Sequence, residues 1–124
     1  MILVKDNHIH CSGGVKNAIQ NTHEYLKKAK KKLDIEIEVR DFEELHQVME
    51  TGGIQRILLD NFTPANISKA LKIINGKYKT EASGGITETN LRKYALTGVD
   101  YISVGALTHS VKSLDLSLKI YPLE

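Results

Sequence analysis

Five short apolar runs, each ending in a polar or glycine-rich corner, constrain what this chain can become. They are Ile2–Val4 before Lys5-Asp6-Asn7-His8, Ile35–Val39, Ile57–Leu59 before Asp60-Asn61, a run around Lys79–Ala82 before Ser83-Gly84-Gly85, and Tyr101–Val104 before Gly105. Between them lie helical patterns. Val15, Ala18, Ile19, Thr22, Leu26 and Ala29 fall at helical spacing and predict a helix from about Val15 to Leu33, after a Cys-Ser-Gly-Gly turn. Asp41 and Glu44 have capping-box spacing and open a second helix that ends at Gly52-Gly53. Thr63-Pro64 opens a third that runs to Gly76, and Thr87 a fourth, with Leu91, Tyr94 and Ala95 on its apolar side and Gly98 at its close. Leu114, Leu116, Leu118 and Ile120 alternate with polar residues and predict a final half-buried strand. Strands that alternate with helices of this length pair in parallel through right-handed crossovers. Parallel α/β proteins gather their chemistry at the carboxyl ends of the strands, so the five corners read as one shared active site. The chain reads as an enzyme.

With 124 residues the chain holds one domain at most. A complete (β/α) barrel needs roughly 200 residues or more. The expected fold is therefore a compact open α/β sheet or an incomplete (β/α) barrel segment of about five parallel strands. A hydrophobic fraction of 41% suffices for a core, and a net charge of +2 exerts no global pull toward nucleic acid or membrane. Lys27, Lys28 and Lys30–Lys32 cluster where positive charge suits a helix carboxyl end, with no aromatics interleaved as in a nucleic-acid surface. No apolar run approaches the ~20 residues of a membrane span. Met-Ile-Leu-Val, interrupted by Lys5 and Asp6, is too short for a signal peptide. The only cysteine, Cys11, has no internal disulfide partner, which suits a reducing compartment. The cytosol is the expected location.

Ser83-Gly84-Gly85 and Gly105 stand on successive strands. Glycines let the backbone approach a phosphate, and free N–H groups at a following helix start favour an anion. Glu36 and Glu38, two apart on one strand, share a face. A parallel strand flanked by crossover helices has no solvated face, so these carboxylates are expected to point into a polar barrel lumen. Asp60 ends an apolar run and is free of capping duty, since Thr63 takes that role. It is a candidate ligand for a metal or a sugar hydroxyl. Lys5 faces the same rim as Glu38 and Asp60. His109 is a weaker candidate; Cys11 has no histidine base at a readable spacing and reads as inert. His10, His23 and His46 form no zinc-like pattern. A lysine, carboxylates for magnesium or ribose hydroxyls, and glycine corners for phosphate together suit a phosphorylated sugar.

In this order, the segments Val4-Lys5-Asp6-Asn7-His8, Glu36-Ile37-Glu38-Val39, Leu59-Asp60-Asn61, Glu81-Ala82-Ser83-Gly84-Gly85-Ile86 and Thr97–Ser110 closely resemble the quinolinate phosphoribosyltransferase family, the carboxylating nicotinate-nucleotide pyrophosphorylases. The likeness extends almost from end to end. It implies a type II phosphoribosyltransferase-like barrel, with residues 1–124 as its carboxyl-terminal part. The implied reaction joins quinolinate to phosphoribosyl pyrophosphate, giving nicotinate mononucleotide for NAD synthesis with loss of pyrophosphate and CO2. On this likeness Lys5 contacts the anionic substrates, and Glu38 and Asp60 face the ribose hydroxyls and Mg2+, directly or through water. Ser83, Gly84, Gly85, Gly105 and His109 then line the substrate site. The family's subunits pair into homodimers that share active sites.

The resemblance also sets an expectation about what lies elsewhere. The family's amino-terminal domain and early barrel strands, with their arginine and His-Arg contacts, are not in this sequence. Arg40, Arg56 and Arg92 do not stand in those motifs. Quinolinate's two carboxylates would lack their bidentate partners, so the chain alone is expected to be inactive and to need that portion as a partner. Two other readings remain open at this stage: a molybdenum-uptake-type pyrophosphorylase relative, and a non-catalytic phosphoribosyl-binding fragment or assembly subunit.

Overall fold

The computed structural model describes residues 1–109, so the strand expected over Leu114–Ile120 lies outside the described residues. Five strands, β1 (Ile2–Val4), β2 (Ile35–Val39), β3 (Arg56–Asp60), β4 (Lys79–Ser83) and β5 (Tyr101–Ile102), form one all-parallel sheet in the order β1-β2-β3-β4-β5. The helices between them are α1 (Asp6–Ser12), α2 (Val15–Lys28), α3 (Phe42–Thr51), α4 (Pro64–Ile74), α5 (Leu91–Ala95) and α6 (Ala106–His109). Strand order that follows chain order, joined by crossovers of one hand, puts the helices on one side of the sheet. Burial agrees with this layering. Ile35, Ile37, Val39, Ile57, Leu59 and Ala82 share one sheet face and join Ile19, Leu45, Val48, Ile67, Ala70 and Ile74 of the helices in a single core. The opposite face carries Glu36, Glu38, Arg56, Leu58, Asp60, Glu81 and Ser83, as the two-residue period requires. This two-layer plan with one polar face is a barrel segment rather than a doubly wound sheet.

Local chemistry sets most boundaries. Asp41 Oδ1 accepts the Glu44 N–H at 2.8 Å, and Thr63 Oγ1 accepts that of Asn66 at 3.3 Å, so α3 and α4 start where their caps predict. Other expectations need correction. The segment after β1 is not only a turn: α1 forms there, with the Lys5 N–H donating to His8 Nδ1 at 2.9 Å and a single buried residue, Ile9. One buried residue leaves no periodic signal. The helix expected to reach Leu33 stops at Lys28. Lys30 takes a left-handed conformation (φ 52°), and the Lys30 and Lys31 N–H groups return to Lys27 and Leu26 carbonyls at 3.2 and 3.0 Å. This is a Schellman closure built on lysine, where no glycine announced a stop. The fourth helix is short and begins at Leu91 rather than behind Thr87. Leu91 and Ala95 stay exposed, and only Tyr94 packs on the core. β5 ends at Ile102, two residues earlier than expected.

A β-carbon disfavours the left-handed conformation, so Lys30→Gly should stabilise the fold by roughly 0.5–1 kcal/mol, net of the greater freedom of an unfolded glycine. Urea unfolding checks this: the midpoint should rise with an unchanged slope, and an unmoved midpoint would mean that Lys30 carries no strain.

Candidate active site

The carboxyl ends of the strands converge on one edge, and the polar face meets that edge. Lys5 follows β1 and brings Nζ to 3.6 Å from Glu38 Oε2; the lysine side chain is half exposed and the carboxylate is buried. Asp60 ends β3, one strand over and two residues further along the same face. It is half-buried and accepts a hydrogen bond from Asn61 Nδ2 at 2.7 Å. In register with Asp60 stands Ser83, at the end of β4. Lys5, Glu38, Asp60 and Ser83 thus occupy four successive strand ends on one face.

The next corner depends on backbone geometry. Asn61 adopts a left-handed conformation (φ 56°) and donates its N–H to Ser83 O at 2.8 Å, tying the end of β3 to that of β4. Gly84 packs directly on it, at φ 91°. A β-carbon there would collide with Asn61 Oδ1, Cγ and backbone N, so only glycine fits. Ser83, Gly84, Gly85, Ser103, Gly105 and Thr108 line a cleft of about 760 Å³ between the β4 and β5 corners. Among the described residues neither the Gly84 nor the Gly85 N–H donates a hydrogen bond. The expected helix start directly behind these glycines is not formed. Asn90 closes a turn instead, its Oδ1 accepting the Thr87 N–H at 2.8 Å and its Nδ2 donating to Gly85 O at 3.0 Å. Any anion here would be held by loop amides rather than by a helix dipole. His109 is the last residue of α6, on the far side of Gly105. Cys11 is exposed on α1; His10, His23 and His46 are exposed, and His23 bonds Gly53 O at 2.8 Å.

Beneath the rim lies a second polar cluster that the motif reading left without a role. Arg56 Nη1 donates to Glu81 Oε2 at 2.9 Å, lies 3.9 Å from Glu36 Oε1, and its guanidinium covers the Tyr101 ring at 4.0 Å. Ser103 Oγ donates a short hydrogen bond to Glu81 Oε1. Glu36 Oε1 and Arg56 Nε are buried and unpartnered among the described residues. Burial, then the charge of Glu81 and a hydrogen bond to it, push Glu36 up to about 7 against Arg56. Burial pushes Glu81 upward too, but hydrogen bonds from Ser103, Arg56 and Glu36 outweigh it and hold Glu81 below the usual carboxylate range. Of the two carboxyls, Glu36 is therefore the one that holds a proton more readily. The two-residue period places Arg56, four before Asp60, and Glu81, two before Ser83, on the rim's face, but nothing in the sequence pairs them across strands.

The two shifts act on stability in opposite pH windows. A raised carboxyl stabilises the fold below its ordinary value of 4.5, and that contribution is lost as pH climbs through about 7. Glu81, held low, stabilises above its ordinary value and loses that contribution as pH falls through its lowered one. Glu36→Gln should therefore abolish the decline in melting temperature between about pH 5 and about pH 8, and melt above the wild type at the upper end. Parallel declines for both proteins in thermal melts would refute the assignment of the proton to Glu36.

Comparison with known proteins identifies the family. The family model for the quinolinate phosphoribosyl transferase C-terminal domain matches residues 1–119. The chain is 42% identical over 134 residues to the chloroplastic nicotinate-nucleotide pyrophosphorylase [carboxylating] of Arabidopsis thaliana, covering 97% of this chain and 38% of that protein. It is 48% identical over 126 residues to a probable nicotinate-nucleotide pyrophosphorylase [carboxylating] of Methanocaldococcus jannaschii, covering 96% of this chain and 43% of the relative. The solved nicotinate-nucleotide pyrophosphorylase of Francisella tularensis superposes with a TM-score of 0.78 at 37% identity, over 93% of this chain and 39% of that one. The chain thus spans about two-fifths of the length of these relatives. A family match across nearly the whole chain, with a superposable parallel sheet, makes this chain a member of the quinolinate phosphoribosyltransferase family through its C-terminal domain.

Proposed function

We propose that the chain supplies the phosphoribosyl-binding side of a quinolinate phosphoribosyltransferase site. In the reaction, the bond from the ribose C1′ to pyrophosphate breaks and the quinolinate nitrogen takes C1′. The ring carboxylate next to that nitrogen leaves as CO2, and its carbon gains a proton. The observation that carries this reading is the line of Lys5, Glu38, Asp60 and Ser83 along four consecutive strand ends. Bond breaking at C1′ leaves cationic character on the ribose, and carboxylates fixed near its hydroxyls stabilise that charge. Lys5 pairs with the buried Glu38 carboxylate while its half-exposed ammonium faces the incoming anions. The Gly84 and Gly85 amides, which donate no hydrogen bond among the described residues, suit the 5′-phosphate.

Magnesium fits this donor set in one way only. Among the described residues no group of three or more His, Cys, Asp or Glu side chains could form an all-protein cage. Glu38 and Asp60 would hold Mg2+ together with pyrophosphate oxygens and water, and the ion would neutralise leaving-group charge. Dimeric assembly with shared sites, a partner contribution of the arginine contacts to quinolinate, and a cytosolic location belong to the same proposal. They are supported by the family likeness and, for the compartment, by a single exposed cysteine. No helix among the described residues is long and apolar enough to cross a membrane.

Reconstitution tests the reading. The chain alone should form no nicotinate mononucleotide from quinolinate, phosphoribosyl pyrophosphate and Mg2+. Adding the upstream segment of a close relative as a second polypeptide should restore turnover. In that mixture, Lys5→Ala or Asp60→Asn should lower kcat/KM about 100-fold, close to 2.7 kcal/mol of transition-state stabilisation. Turnover unaffected by both substitutions would sink the proposal. Phosphoribosyl pyrophosphate binding without turnover in any mixture would favour a non-catalytic binding module.

A further inference from the structure

The wall of the phosphate cleft formed by β5 has little backbone to hold it. Its ladder with β4 consists of two register pairs, Glu81 with Tyr101 and Ala82 with Ile102, continued by one bond from the Ser103 N–H to Ala82 O at 2.9 Å. Side chains reinforce it at both ends. At the amino end, Asp100 Oδ2 accepts the Thr80 N–H and hydroxyl, each at 2.9 Å, and its other oxygen pairs with Lys79. At the carboxyl end the reinforcement is Glu81. One of its oxygens accepts the Ser103 hydroxyl, and the other holds Arg56, whose guanidinium lies on the Tyr101 ring. Glu81 therefore grips β5 at two successive inward-facing residues.

Ser103 lines the cleft, with Gly105 two residues beyond it and Ser83 across from it, whereas Glu81 does not line it. A phosphate held by amides from two corners needs both within hydrogen-bond reach at once, so the spacing of the corners is itself a binding determinant. We propose that Glu81 is a positioning residue for phosphate binding: through Ser103 and Arg56 it fixes β5 against β4 and so sets the gap between the Ser83–Gly85 and Gly105 corners. This inference rests on the phosphoribosyl reading of the cleft. It also assigns Ser103 a role distinct from ligand donor, because a hydroxyl has one proton to give and this one is given to Glu81.

The probe is ribose 5-phosphate, titrated into the 124-residue chain while the amide resonances of Gly84, Gly85 and Gly105 are followed. Wild-type chain should show saturable shifts at these amides; their absence overturns the phosphoribosyl reading itself. Given wild-type binding, Glu81→Ala and Ser103→Ala should each weaken it about tenfold, or ~1.4 kcal/mol. Ser103→Thr keeps the hydroxyl and should bind within about threefold of wild type, whereas Glu81→Gln keeps an oxygen for Ser103 but turns an NH2 toward Arg56 and should fall between wild type and Glu81→Ala. If Ser103 instead donated to the ligand, freeing it by Glu81→Ala would preserve or tighten binding, and that result overturns the inference alone. Should Glu81→Ala fail to fold, Ser103→Ala with its threonine rescue decides the matter: equal affinity in alanine and threonine variants refutes the latch.

Discussion

A parallel strand has to bury both of its faces, and here helices cover only one of them. That constraint shapes everything on the other side. The covered face is apolar along β2 and β3 and polar on β4 only at Thr80, with Ile37, Val39, Ile57, Leu59 and Ala82 fully shielded. The uncovered face is not stabilised the same way, because it carries charged residues on β2, β3 and β4. It resolves the conflict by pairing charges among themselves. Lys5 meets Glu38 at the rim, and Arg56 meets Glu81 and Glu36 one layer below. Removing one member of such a set strands its partner at low dielectric, which costs more than the pair itself contributes.

The two layers do different jobs. The rim layer stands at the strand ends, where Lys5 is half exposed, Asp60 and Ser83 are half-buried, and Glu38 is buried. The lower layer is enclosed by its neighbours and holds the strands in register. Glu81 belongs to the lower layer but reaches the upper one through Ser103, and Arg56 ties β3 to β4 and, by stacking on Tyr101, to β5. Electrostatic satisfaction beneath the site is thereby coupled to the geometry of the site. The upward push on Glu36 is the consequence of burying it beside a second carboxylate with a single guanidinium for both.

Legibility followed the range of the interactions involved. β2 was readable to the residue because Ile-Glu-Ile-Glu-Val alternates cleanly, and α3 and α4 because Asp41 and Thr63 cap within three residues of themselves. α2 was overextended because its stop is an exposed lysine in a left-handed conformation, closed by local backbone bonds, and lysine is a residue type that carries no stop signal. α5 was displaced because Asn90, not Thr87, organises the turn after the glycines. The rim candidates stood out as polar residues ending apolar runs. Arg56, Glu81 and Ser103 did not, since each looks ordinary until its neighbours on adjacent strands are known.

Sequence alone determined the alternation of strand and helix, the two-residue period that divides core from polar face, and the corner motifs that carry the family likeness. These depend on contacts within a few residues, or on chemistry written in the residues themselves. Tertiary structure decided which carboxyl is pushed up and which is held low, which arginine neutralises them, and that Gly84 must lack a side chain because Asn61 occupies the space. Such facts arise from pairs 20 or more residues apart, such as Arg56 with Glu81 and Ser103 with Glu81, whose proximity exists only once the strands have aligned.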